Sequence, residues 1–129
     1  MTTTQIILAC AHLSSRGGGL PAAILPLASR LAPFSVQLAT FDPPERDEAL
    51  DAPIIRMYKS RLPFVCKDAK ALADADLVHV HGLWSSLSTA AMSWRARTGG
   101  PTIVSPHGML DTWALRQSRL SKQVALGLV

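Results

Sequence analysis

The chain has 129 residues, 48% of them hydrophobic and 17% charged, enough for one modest packed domain and too apolar for a disordered one. A net charge of +4 suits a phosphate-bearing ligand or an anionic membrane surface. Nucleic acid is not expected as a partner. Aromatic residues make up 5% of the chain, and no basic run is interleaved with them as base-stacking readers require.

Cys10 and Cys66 stand apart in the sequence, which fits a reducing compartment and gives neither a disulfide framework nor a metal pattern. The first apolar run is short and has no basic region before it, so it reads as a strand and not as a signal peptide. No apolar run approaches the roughly 18 residues of a membrane-spanning helix. A cytoplasmic chain is expected.

Gln5–Ala11 is almost continuously apolar, as a central parallel strand covered on both faces should be. The polar loop His12–Gly19 follows and ends in three adjacent glycines. Leu20, Ile24, Leu27, Ala28 and Leu31 then recur at helical spacing. Pro21 fits the first turn of that helix, whereas Pro26 should kink it. Ser35–Phe41 reads as a second strand. Asp42–Pro53 reads as an acidic surface loop in which Asp47-Glu48 could open a helical turn, and Ile54–Tyr58 as a short third strand.

A helical pattern runs from about Val65 through Ala69 and Leu72. Leu77–His81 is the expected fourth strand, Ser85–Arg97 a helix stopped by Gly99-Gly100-Pro101, and Thr102–Ser105 the fifth strand. Asp111 is placed to cap a last helix from Thr112, with Trp113, Leu120, Val124 and Leu128 on one side and Arg116, Arg119 and Lys122 on another. Such a basic face allows peripheral contact with an anionic membrane, although a solvated face is the commoner explanation. Alternating strands and helices give an α/β fold, a Rossmann-like doubly wound parallel sheet. The chain stops at Val129 in an apolar helical pattern, so the front part of a longer protein is expected.

Two strands end in His-Gly, at His81-Gly82 and at His107-Gly108. Open α/β sheets bind ligands at the carboxyl ends of their strands. His79 and His81 alternate with Val78 and Val80 and therefore share one sheet face. His79 is mid-strand and reads as a satisfied core histidine, while His81 and His107 are better placed to meet a ligand. Gly17, Gly18 and Gly19 allow a ligand close to the backbone at a helix start, or simply make a flexible turn. The loop matches neither a dinucleotide fingerprint nor a Walker loop. His79, His81 and His107 with Asp111 could imitate a metal site, but structural zinc would want cysteine nearby, and no metal or other cofactor is expected. No serine nucleophile elbow or paired carboxylate pattern stands out.

Three stretches carry a family resemblance: AHLSSRGGGLPAAILPLASRLA, DLVHVHGLWSS and PTIVSPHGMLDTWAL. Together they resemble the amino-terminal domain of retaining glycosyltransferases of family 4, which have the GT-B fold. SPHGMLDTWAL is the most specific of them. The resemblance implies that residues 1–129 are an incomplete amino-terminal, acceptor-side Rossmann-like domain. It implies transfer of a sugar from a nucleotide-sugar donor to a glycan or lipid-linked acceptor with retention, in cell-surface polysaccharide synthesis at the inner face of the membrane. It also implies that Gly17, Gly18 and Gly19 lie near the donor diphosphate and acceptor, with His107 as the catalytic-site residue. His81 and Gly108 would be substrate-binding, and Asp111 mainly a cap. The family's diphosphate-holding basic residues and its Glu-x7-Glu motif belong to the second domain, so the 129-residue chain alone is expected to be inactive. The alternative is a non-enzymatic Rossmann-like module for a phosphorylated or sugar ligand; a metal-dependent hydrolase using the histidines ranks third.

Overall fold

Side chains along a strand alternate between faces, and the first strand, β1 (Gln5–Cys10), buries both. In this computed structural model, which describes residues 2–45, 52–58, 69–117 and Gln123, Ile7 and Ala9 enter one apolar cluster. Ile6, Leu8 and Cys10 enter another. A strand with no polar face must be covered on both sides. The helix α1 (Leu20–Arg30) supplies Ile24 and Ala28 to the second cluster. The helix α2 (Ser86–Thr98) supplies Leu87, Ala90, Ala91 and Trp94 to the first. The doubly wound arrangement expected above is therefore present.

The sheet has five strands in the order β3-β2-β1-β4-β5, with β2 at Ser35–Thr40, β3 at Ile54–Arg56, β4 at Leu77–His81 and β5 at Thr102–Ser105. All four pairings are parallel. The order reverses direction at β1, so the crevice beside it is a topological switch point, where open α/β sheets take ligands.

The helix α1 runs continuously through Pro26. Proline leaves the carbonyl four residues earlier without a partner. Here that residue is Ala22, and both Ala22 and Pro26 are exposed, so water can satisfy the carbonyl. The helical pattern expected from about Val65 is represented by a short 3-10 segment at Ala69–Leu72; its earlier part, like Asp47-Glu48 and Cys66, lies outside the described residues. A short helix α3 (Thr112–Arg116) begins where expected: the Asp111 side chain accepts a hydrogen bond from the Trp113 amide at 2.9 Å. The expected Leu120, Val124, Leu128, Arg119 and Lys122 faces lie outside the described residues. Trp113 is 70% exposed, Trp94 only 2%. No described helix is long and apolar enough to cross a membrane.

Candidate active site at the carboxyl edge of the sheet

Register brings the sequence's two His-Gly ends together. Cys10 pairs with His81, and His81 with Ser105, so the loops after β1, β4 and β5 leave the sheet at one edge. The backbone ties the last two loops directly, with the Gly82 amide donating to the Ser105 carbonyl at 2.9 Å. Met109 locks them further. Its sulfur accepts from the Leu83 amide at 3.2 Å, and its Cε would lie 3.1 Å from any Cβ added at Gly82. The Trp84 indole N–H reaches the Met109 carbonyl at 3.4 Å.

The turn after β5 is tight. The Met109 amide donates to the Pro106 carbonyl at 3.0 Å, and both central residues have positive φ: 50° at His107 and 78° at Gly108. That is the pattern of a type I′ turn. Glycine adopts it freely, but a histidine there is unusual and held by its surroundings.

Those surroundings are other histidines. Val78 and Val80 face the α2 cluster, which leaves His79 and His81 on the α1 face of the sheet. Their rings stack at 4.0 Å between centroids, and the His81 and His107 ring centroids lie 5.1 Å apart. His81 Nδ1 lies 2.9 Å from His107 Nε2, while His79 Nε2 lies 2.8 Å from the Ser105 hydroxyl. His79 is half-buried and hydrogen-bonded; His81 is 6% exposed; His107 is open to solvent. Burial, followed by repulsion from His79 and His107, pushes the His81 pKa down to about 4. Burial, then His107, lowers His79 as well. His79 and His81 stack on each other, whereas His81 and His107 meet edge to edge through their ring nitrogens. Among the described residues no group of three His, Cys, Asp or Glu side chains is disposed to hold an ion.

The glycine loop contributes differently at each position. A Cβ at Gly17 would lie 2.4 Å from the His12 carbonyl oxygen and 2.9 Å from the Pro21 ring. Gly18 has φ of 60°. Gly19 precedes α1 with φ of −78° and open space around it. The loop begins with a 3-10 turn, Ser15–Gly17, in which the Gly17 amide bonds Ser14 and the Gly18 amide bonds Ser15. Beside it is an open cleft of about 440 Å³, lined by residues including Ser14, Ser15, Gly18, Pro21 and Glu45.

Comparison with known proteins decides the family. The profile of Glycosyltransferase Family 4 matches residues 17–126. The chain belongs to Glycosyltransferase Family 4. No curated protein and no solved structure matches it.

The family 4 match covers Gly17, Gly18, Gly19 and both His-Gly ends; sequence reasoning missed a polar cluster in which His12 and Ser14 precede the match and Asp42 lies within it. His12 and Asp42 form a parallel bridge just beyond β1 and β2. Asp42 accepts from the Ser14 hydroxyl and lies 3.4 Å from His12 Nδ1. The Ser14 hydroxyl, above all, holds the Asp42 carboxyl below the usual carboxylate range. The signal was the register: Gln5 pairs with Ser35, and the same offset carried past the strand ends joins His12 to Asp42. This family 4 domain thus presents backbone turns, hydroxyls, a carboxylate and an open imidazole along one edge. The N–H and O–H donors among them can bond phosphate oxygens or sugar hydroxyls, and the carboxylate can accept from sugar hydroxyls.

Proposed function

We propose that this chain forms one wall of the cleft in a GT-B glycosyltransferase. The enzyme transfers a sugar from a nucleotide-sugar donor to a glycan or lipid-linked acceptor with retention, in cell-surface polysaccharide synthesis at the cytoplasmic face of a membrane. The observation that carries this reading is the shared edge, where Gly17, Gly18 and Gly19 follow β1 and His107 and Gly108 follow β5, all within the span matched by the family. His107, open to solvent, is the residue that meets the transferred sugar. Gly17–Gly19 and Gly108 let substrate approach the backbone, and His81 stands behind His107 on the same wall. Retaining transfer stabilises a leaving diphosphate and an oxocarbenium-like centre, which is electrostatic work.

These 129 residues hold Glu45 and Glu48 as their only glutamates, so a Glu-x7-Glu pair cannot be drawn from them. Binding without turnover is therefore the expected behaviour of the chain by itself. Titrating the isotopically labelled chain with UDP-glucose, GDP-mannose and the free nucleotides tests the reading by amide shifts. Shifts should gather at Gly17–Gly19, Gly82 and Gly108. Shifts confined to the amino ends of the strands, or sugar transfer by this chain alone, would contradict it.

A further inference from the structure

His81 is too buried to be an effective substrate contact, yet it is polar and sits at the strand end. Its Nδ1 has one partner, His107 Nε2. Its Nε2 is buried without a hydrogen-bond partner. The ring stacks on His79 and meets His107 through the facing nitrogens, and His79 is itself anchored by the Ser105 hydroxyl.

Two neutral imidazoles 2.9 Å apart share one proton between the facing nitrogens. If His107 donated it, His81 would carry its own proton on Nε2 as a sealed N–H with no acceptor. If His81 donates it, only a bare Nε2 lone pair is sealed. Orphaned N–H groups are the rarer burial, so the second arrangement is favoured. It has a consequence at the other ring. His107 Nε2 then accepts, its proton resides on Nδ1, and Nδ1–H is the nitrogen left for a ligand.

We propose that His81 is a positioning residue: it donates from Nδ1 to His107 Nε2 and so presents His107 Nδ1–H as a fixed hydrogen-bond donor to a phosphate or sugar oxygen. The role of His107 as a substrate contact rests on the function proposed above; the tautomer does not. A partner that fixes one imidazole nitrogen decides the proton on the other, as at metal-bound histidines. The depressed pKa of His81 keeps it neutral, with one N–H to give, across the neutral range.

Ring-nitrogen spectra of the 15N-labelled chain near pH 7 test this. His107 should be protonated at Nδ1, with Nε2 shifted as an acceptor and a through-hydrogen-bond coupling to His81 Nδ1. His81→Phe keeps a ring in the stack but removes the donor, so His107 should become a tautomer mixture. Nucleotide-sugar binding, probed with UDP-glucose and GDP-mannose, should weaken roughly three- to tenfold. His81→Asn restores an N–H near Nδ1 and should restore the tautomer in part. A wild-type His107 protonated at Nε2, or a His107 spectrum unchanged by a folded His81→Phe, would overturn the proposal. Should His81→Phe not fold, the wild-type spectrum decides alone. The tautomer needs no ligand, so a silent titration with both nucleotide sugars sinks the functional reading and not the positioning.

Discussion

Alanine at Gly17 would place its methyl 2.4 Å from the His12 carbonyl oxygen, and backbone cannot yield as a flexible side chain does. Gly17→Ala should therefore destabilise the fold by about 1–3 kcal/mol, read from urea denaturation. Gly19→Ala meets open space at an ordinary φ and should be neutral or gain about 0.4–1 kcal/mol, chiefly by restricting the unfolded chain. The glycine run alone did not separate these positions, because the difference lies in where the loop crosses the His12 carbonyl. The His79–His81 shared face was legible, since alternation is local. The His81–His107 contact was not, because it depends on a positive-φ turn at a residue that is not glycine.

Among the elements, β4 and β5 fall on the residues expected from the sequence, Leu77–His81 and Thr102–Ser105. Apolar alternation and the Gly-Gly-Pro stop defined both sides of α2. Continuity of α1 through Pro26 was less legible, because its tolerance depends on which face meets water. The α3 start was readable from Asp111, whose carboxylate caps the Trp113 amide. Asp111→Ala should cost that short helix about 0.5–2 kcal/mol, seen as faster hydrogen exchange at the Trp113 and Leu115 amides with little change in β4. Met109 joins the loops after β4 and β5 through its sulfur, its carbonyl and its methyl. Nothing in the spacing of SPHGML announces that contact.

For the whole molecule, the described residues form two apolar clusters on opposite sheet faces, with the strands between them. Trp94 is the largest side chain in the first, and Trp94→Ala should cost about 3–5 kcal/mol. The sheet's far side is less guarded. Among the described residues β5 is an edge strand, and its own residues Ile103 and Val104 are 47% and 42% exposed on opposite faces. Edge strands of this kind pair with other chains, so Ile103→Lys should reduce self-association in light scattering. Acid should loosen the fold from a second direction. Unfolded His81 titrates at its ordinary 6.5 and the folded residue at about 4. Between those values the unfolded chain binds the extra proton, so stability falls as pH drops through that window. His81→Phe should flatten the slope there in thermal melts.

The three tryptophans occupy three settings: Trp94 sealed, Trp84 half-buried against the Met109 carbonyl, and Trp113 almost bare beside the His107 turn. Light emitted by the first reports the core, and light from the last reports the rim. Iodide, which cannot enter an apolar interior, should quench Trp113 while sparing Trp94. Exposed and buried indoles emit at different wavelengths, so unfolding, which bares Trp94, can be followed apart from changes at the surface around Trp113.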